Sequence, residues 1–300
     1  MNILITGATG FLGSKLAVQL TNLNHKLYIL SRSAEKKSNT SHMTFLNYET
    51  TANELPKIDA VINLAGESLF GYWTKKKKEM ILTSRIRVTK YLVQLMEDMK
   101  EKPRVFISGS AVGYYGMSED VMYTEATTQP GNDFLASVVR QWEAEASYAE
   151  NMGIRTVYTR FGVLLGNDGG AFPLMSLPVK LYTGGHLSDG EQWLSWIHVQ
   201  DAVKLITFCL ENQNMEGAVN VTAPTPKRNK DFIKKAAQIY KRPNWLHLPA
   251  VFFYLALGEM AQLLVKGQFV YPQKALEQDF IFDFPSLDQT LSDLKNNSSK

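Results

Sequence analysis

The sequence predicts an α/β fold, a doubly wound parallel sheet followed by a smaller, mostly helical C-terminal lobe. Two features lead to it. The apolar run Ile3-Leu-Ile5 passes through three glycines spaced three apart, Gly7, Gly10 and Gly13, into a helix-like stretch from Ser14 to Leu20. Short apolar strands then alternate with helical patterns as far as Thr159, a rhythm that demands parallel strands joined by right-handed crossovers.

After the first helix, Lys26–Leu30 reads as a second strand, Met43–Leu46 as a third and Ala60–Leu64 as a fourth. A long helix follows from Lys75 to Met99, with Ile81, Ile86, Val88, Leu92, Leu95 and Met96 at helical spacing. Arg104–Ser108 is the fifth strand, Phe134–Met152 a helix stopped by Gly153, and Arg155–Thr159 the sixth strand. Beyond Gly166 the rhythm changes: residues 167–170, 183–185 and 188–190 are glycine-marked loops, and Ala218–Val221 returns as one more strand. From Pro224 the chain is mostly helical and ends in a polar, frayed tail, Asn296–Lys300. This divides it into a nucleotide-binding domain, 1–222, whose residues 166–190 contribute to a substrate cleft, and a C-terminal substrate lobe, 223–300.

Composition narrows the function. An apolar fraction of 45% over 300 residues is ample for a sizeable core. A net charge of +3 is too small to imply nucleic acid, and the run Lys75–Lys78 reads as the solvated start of a helix. The single cysteine, Cys209, lies in an apolar stretch, which suits a reducing compartment and an inert thiol. The five histidines include no pair at metal-ligand spacing, so no metal is expected. Leu248–Val265 is the most membrane-like segment, but Pro249, Glu259 and Gln262 interrupt it and it reads as a buried amphipathic helix. The expectation is a cytoplasmic protein with a small-molecule substrate and neither nucleic-acid nor membrane partner.

Strand, glycine turn and helix N-terminus together form an anion site from backbone N–H groups and the positive end of the helix dipole. Gly7 takes the turn, Gly10 lets a pyrophosphate approach, and Gly13 lets helix and strand pack closely. The second strand ends in Ser31-Arg32-Ser33, where sites for NAD carry Asp or Glu for the ribose 2′-hydroxyl. A guanidinium there pairs with a 2′-phosphate, so NADP(H) is expected in preference to NAD(H).

These motifs, together with Asn63-Leu-Ala-Gly66-Glu67, Ser108-Gly-Ser110-Ala-Val-Gly-Tyr114-Tyr115-Gly116, Arg160–Gly166 and Trp196-Ile-His198-Val-Gln-Asp201, occur in the order seen in extended short-chain dehydrogenases/reductases. The chain resembles their atypical, epimerase-like subfamily, the NAD-dependent epimerase/dehydratase proteins of unknown substrate. The narrower marks are Trp73-Thr74, Ser84-Arg85, Asp133-Phe134, Trp142-Glu143, Gly169-Gly170-Ala171 and, in the C-terminal domain, Leu257–Ala261 and Pro272–Leu276. The resemblance implies a cofactor site in which Thr9, Phe11 and Leu12 accompany the glycines around the pyrophosphate. It also implies that Ser31 and Arg32 meet the adenosine phosphate, that Leu64, Ala65, Gly66 and Glu67 line the fourth-strand end, and that Arg85 faces the cofactor. A homodimer through the two long helices fits the same superfamily.

The catalytic pattern of that superfamily is broken. Its Tyr-x-x-x-Lys pair belongs on the helix after the serine-bearing strand, where the lysine lowers the tyrosine pKa. Here Leu135 and Val139 fill those slots, and Tyr72-x-x-x-Lys76 precedes the serine strand instead of following it. Two readings stand. Ser110 holds a substrate oxygen with Tyr114 or Tyr115 as proton donor, Arg140 supplying the missing charge if it points inward; or the protein binds NADP(H) with little or no catalysis. Trp142 and Glu143 read first as packing plus a solvated charge, His198 and Asp201 as a junction between lobes, and Gln192, Trp193 and Trp196 as stacking candidates or buried area.

Overall fold

The computed structural model describes residues 1–246 and 249–297. Its central sheet has seven parallel strands: β1 (Asn2–Thr6), β2 (Lys26–Leu30), β3 (Met43–Leu46), β4 (Ala60–Asn63), β5 (Val105–Ala111), β6 (Arg155–Phe161) and β7 (Gly217–Val221). They lie in the order β7-β6-β5-β4-β1-β2-β3. The winding direction reverses between β1 and β4, which opens a crevice at the carboxyl ends of those two strands.

Successive side chains of a strand point to opposite faces, and that alternation builds two cores. Ile3, Ile5, Ile62 and Ile107 pack with α1 (Phe11–Asn22) and, further along the chain, helix Val199–Glu211. Leu4, Val61 and Phe106 pack on the other face with α2 (Lys75–Asp98) and the end of α3 (Phe134–Ser147). Each such fully buried aliphatic or aromatic side chain contributes about 1.5–3 kcal/mol. The fold is the Rossmann-type doubly wound sheet that the glycine turn and strand rhythm predict.

A further core runs across the expected boundary at residue 222: Phe172, Val179, Trp196, Phe232, Leu291 and Leu294 join α4 (Phe172–Lys180), α6 (Asn229–Tyr240) and the last helix, Leu287–Asn296. Helix Val199–Glu211 is α5. The Ser195 hydroxyl stitches the parts together, donating to the Gln268 carbonyl at 2.7 Å and accepting from the Val270 N–H at 2.9 Å. The short strand Phe269–Val270 then pairs in parallel with Met122–Tyr123.

Several local expectations change. Helix α3 ends at Ser147, and a separate turn, Glu150–Met152, leads to Gly153 at φ 74°. The expected buried helix over 248–265 is not a single helix, and only Met260 and Ala261 of its described residues are buried. Leu248 lies outside the described residues; α7 (Ala250–Leu257) buries none of its residues; and Gly258, at φ 57°, breaks the segment before a turn and the short helix Gln262–Val265. The Tyr72 ring occupies the space a side chain on Gly258 would need, which fixes the break. The last helix runs through Asn296, so the tail is helical at its start; residues 298–300 lie outside the described residues. The lysine run is also more than solvated: Thr74 caps α2, Lys77 pairs with Glu67 at 2.7 Å, and Lys78 pairs with Glu259. Those ion pairs offset the cost of gathering cations at a helix N-terminus.

Candidate nucleotide site

At the end of β1, Gly7 turns at φ 73° and its carbonyl accepts from the Gly10 N–H at 3.0 Å. A Cβ on Gly7 would lie 2.6 Å from the Leu64 carbonyl, and one on Gly13 only 2.2 Å from the Gly7 oxygen. Both clashes are with backbone, so the turn tolerates glycine alone at these points. No side chain caps α1, which leaves its first-turn N–H groups available to an anion.

The neighbouring candidates divide by what their side chains do. Thr9 is exposed at the turn. Phe11 and Leu12, expected around the pyrophosphate, turn their side chains away: the Phe11 ring fills the space beside Gly166, Gly169 and Gly170, and Leu12 joins the core. Only their backbone amides remain for that end. Ser31 is buried, and its hydroxyl oxygen accepts from the Ser33 N–H, whereas Arg32 is exposed; burial raises the Tyr48 pKa and the Arg32 charge opposes that rise.

From the glycines a run of direct contacts crosses the crevice. Gly7 abuts Leu64 and Ala65, and a Cβ on Gly66 would meet the Arg85 guanidinium at 3.2 Å. Arg85 is not a surface ion-pair residue. Burial pulls its pKa down to about 10 against the opposing charge of Glu67, Nη1 donates to the Ile81 carbonyl, and the guanidinium lies 5.3 Å from the Trp142 ring centre. Glu67 itself is held below the usual carboxylate range, chiefly by its hydrogen bond from Lys77. Trp142 packs on Gly109 and donates to the Thr89 hydroxyl, which also accepts from Asn63 Nδ2 and donates to the Arg85 carbonyl. This buried polar set is fully satisfied, so it holds the β4 and β5 ends rigidly beside Arg85.

At the end of β5, Ser110 is 2% exposed and its hydroxyl donates to Glu143 Oε1 at 2.5 Å. Arg160, opposite Ser110 on β6, forks onto both Glu143 oxygens at 2.8 Å. Burial lowers the Arg160 pKa, but the hydrogen bonds and charge of Glu143 outweigh it and raise it overall. The guanidinium is stacked 3.5 Å from the Tyr114 ring centre, while the Tyr114 hydroxyl donates to the Thr128 carbonyl at 2.7 Å. Tyr115 is buried, donates to Asn220, and has its pKa pushed up to about 12 by burial.

The charge expected from Arg140 therefore comes from Arg160; Arg140 is exposed. Glu143 is no solvated charge but the partner of a buried cation. The sequence signal for this pair is a lone arginine inside the otherwise uncharged strand stretch Thr156–Phe161. Leu135 and Val139, in the tyrosine and lysine slots, pack against Gly113. Trp196 is fully buried and Gln192 spends its amide on the Leu187 and Leu264 carbonyls, whereas half-buried Trp193 stacks under Arg228 and lines a surface pocket with it. His198 and Asp201 join α5 to the C-terminal segment. The Asp201 carboxylate accepts from the Asp283 and Phe284 N–H groups, and His198 Nε2 lies 3.3 Å from Asp293. Cys209 is buried and its thiol pushed up to about 12, which leaves it inert.

Residues 3–222 match the NAD dependent epimerase/dehydratase family. The chain belongs to that family. Residues 248–294 match a domain of unknown function, DUF1731. Among family relatives, the chain is 47% identical over 298 residues to epimerase family protein YfhF of Bacillus subtilis, covering 98% of each chain. It is 40% identical over 293 residues to epimerase family protein SH2119 of Staphylococcus haemolyticus, covering 97% of this chain and 98% of that one. In structure it is similar to the human epimerase family protein SDR39U1 solved with NADPH, at a TM-score of 0.89 and 29% identity over 99% of this chain and 100% of that one. A UDP-glucuronic acid 4-epimerase of Bacillus cereus, solved with UDP-glucuronic acid and NAD, shares the fold at a TM-score of 0.78 and 19% identity over 99% of this chain and 98% of that one.

Proposed function

We propose that this protein binds NADP(H) at the β1–β4 crevice and acts as an epimerase or oxidoreductase on a small polar molecule, sugar derivatives being the class in view. The observation that carries the reading is the cradle at Gly7, Gly10 and Gly13: at Gly7 and Gly13 a side chain would strike backbone, and α1 offers uncapped N–H groups. In this reading the amides of residues 11–13 hold the pyrophosphate over the glycine turn, Ser31 and Arg32 the adenosine phosphate, and Leu64–Glu67 with Arg85 the span between. Preference for the 2′-phosphorylated cofactor rests on Arg32, and the NADPH of the human relative supports it. We place the protein in the cytoplasm, where a single buried thiol stays reduced.

The cofactor, when bound, supplies hydride acceptance and donation. The chain supplies the proton path. Because the Ser110 hydrogen is committed to Glu143, the Ser110 oxygen is free only to accept. It takes a hydrogen bond from a substrate hydroxyl and relays that proton toward Glu143, and it returns one in the reducing direction. Arg160 fixes the orientation of Glu143 by bonding both of its oxygens. Tyr114 covers the guanidinium face.

A second reading, an NADP(H)-dependent binding protein with little turnover, is favoured by the apolar Leu135 and Val139 and by the near-complete burial of Ser110. NADPH turnover that Ser110→Ala abolishes would exclude it. The cofactor assignment is tested by titrating NADPH and NADH into wild type and Arg32→Ala. A lost charge-assisted contact shifts the ratio of dissociation constants by about ten- to a hundredfold. An unchanged ratio overturns the preference, and no binding of either cofactor overturns the function.

A further inference from the structure

Helix α7 reads Ala-Val-Phe-Phe-Tyr-Leu-Ala-Leu, apolar on every side, yet it buries none of its residues. Leu255 is 76% exposed, and Val251, Phe252 and Tyr254 are exposed with it. A helix of this composition ordinarily lies inside a core or a bilayer. Leu174, Leu177, Leu181 and Tyr182, on and just after α4, are exposed as well. Trp245, 62% exposed, donates its indole N–H to the Tyr182 carbonyl at the end of α4, and α7 begins five residues further along the chain.

Basic side chains gather at the ends of α4 and α6. Three cations lie there. The Arg242 guanidinium lies 4.1 Å from the Tyr182 ring centre, Lys180 Nζ lies 5.3 Å from that of Tyr240, and Lys241 is exposed at the end of α6. The face of α2 and α3, in contrast, exposes only Met80 and, just past α3, Tyr148 as large apolar residues among those described.

We propose that the flank formed by α7, the end of α4 and Trp245 docks onto an anionic lipid surface. Apolar side chains enter the acyl boundary, Trp245, Tyr182 and Tyr254 sit at headgroup level, and Lys180, Lys241 and Arg242 meet lipid phosphates. A second copy fits less well, since it would bring the same cations face to face. The contact is interfacial, for among the described residues no helix is long and apolar enough to cross a membrane.

The test is co-sedimentation of the full chain with vesicles of phosphatidylcholine alone or of equimolar phosphatidylcholine and phosphatidylglycerol, at low and high salt. The expected result is salt-sensitive binding to the anionic vesicles only, with a blue shift of tryptophan emission that Trp245→Phe diminishes. Phe252→Glu/Leu255→Glu and Lys241→Glu/Arg242→Glu should each weaken binding about tenfold or more. All these side chains are exposed or partly so, and an unchanged NADPH titration and thermal midpoint confirm that the variants fold. Failure of wild type to bind anionic vesicles overturns the proposal, as does binding that both double variants retain. A dimer in light scattering that Phe252→Glu/Leu255→Glu dissolves, without vesicle binding, assigns the flank to a second copy instead.

Discussion

Glu143 is the residue whose loss should be felt most. It neutralises a guanidinium that is 4% exposed and orients the Ser110 hydroxyl. Glu143→Gln keeps the shape but leaves Arg160 buried without its anion, a change that costs about 3–5 kcal/mol when a buried pair is broken. Urea denaturation should show that loss, and a change below about 1 kcal/mol would mean that solvent screens the pair. The sequence shows both residues but not their partnership, because they lie on an α-helix and a strand whose contact follows from packing. Ser110 was legible as a strand-end serine, while its hydrogen-bond direction was not.

At the scale of elements, the junction of α5 with the C-terminal segment carries a pH dependence. The Gln200 N–H donates to His198 Nδ1, so the ring proton sits on Nε2 toward Asp293. Burial is the main cause that pulls the His198 pKa down to about 4, against an ordinary value of 6.5. The unfolded chain therefore binds the proton more readily, and the stability this ring confers is complete above pH 6.5 and lost as pH falls toward 4. Urea midpoints across that window should fall more steeply for wild type than for His198→Gln. Equal slopes would show that the ring does not titrate between the two states. The strands themselves were largely legible, because their alternation of faces is local. The break at Gly258 was not, since it depends on Tyr72, far away in sequence.

For the molecule as a whole, cofactor binding and folding are linked by mass action. NADPH at a hundred times its dissociation constant should stabilise the fold by about 2.7 kcal/mol and raise the thermal midpoint accordingly. Gly13→Ala forces the helix away from the Gly7 carbonyl, so a variant that still unfolds cooperatively should lose that rise. A full NADPH-dependent rise in Gly13→Ala would sever the link between the glycine turn and the cofactor.

The sequence by itself determined the doubly wound sheet, the glycine turn and the arginine after β2, because strand periodicity and backbone dihedrals are properties of near neighbours. Tertiary structure alone decided that Arg160, not Arg140, is the buried cation beside Glu143, that Phe11 packs against Gly166, Gly169 and Gly170 and Leu12 in the core, and that α7 stands exposed. Each of these depends on which distant side chain fills a given space, and no local pattern encodes that.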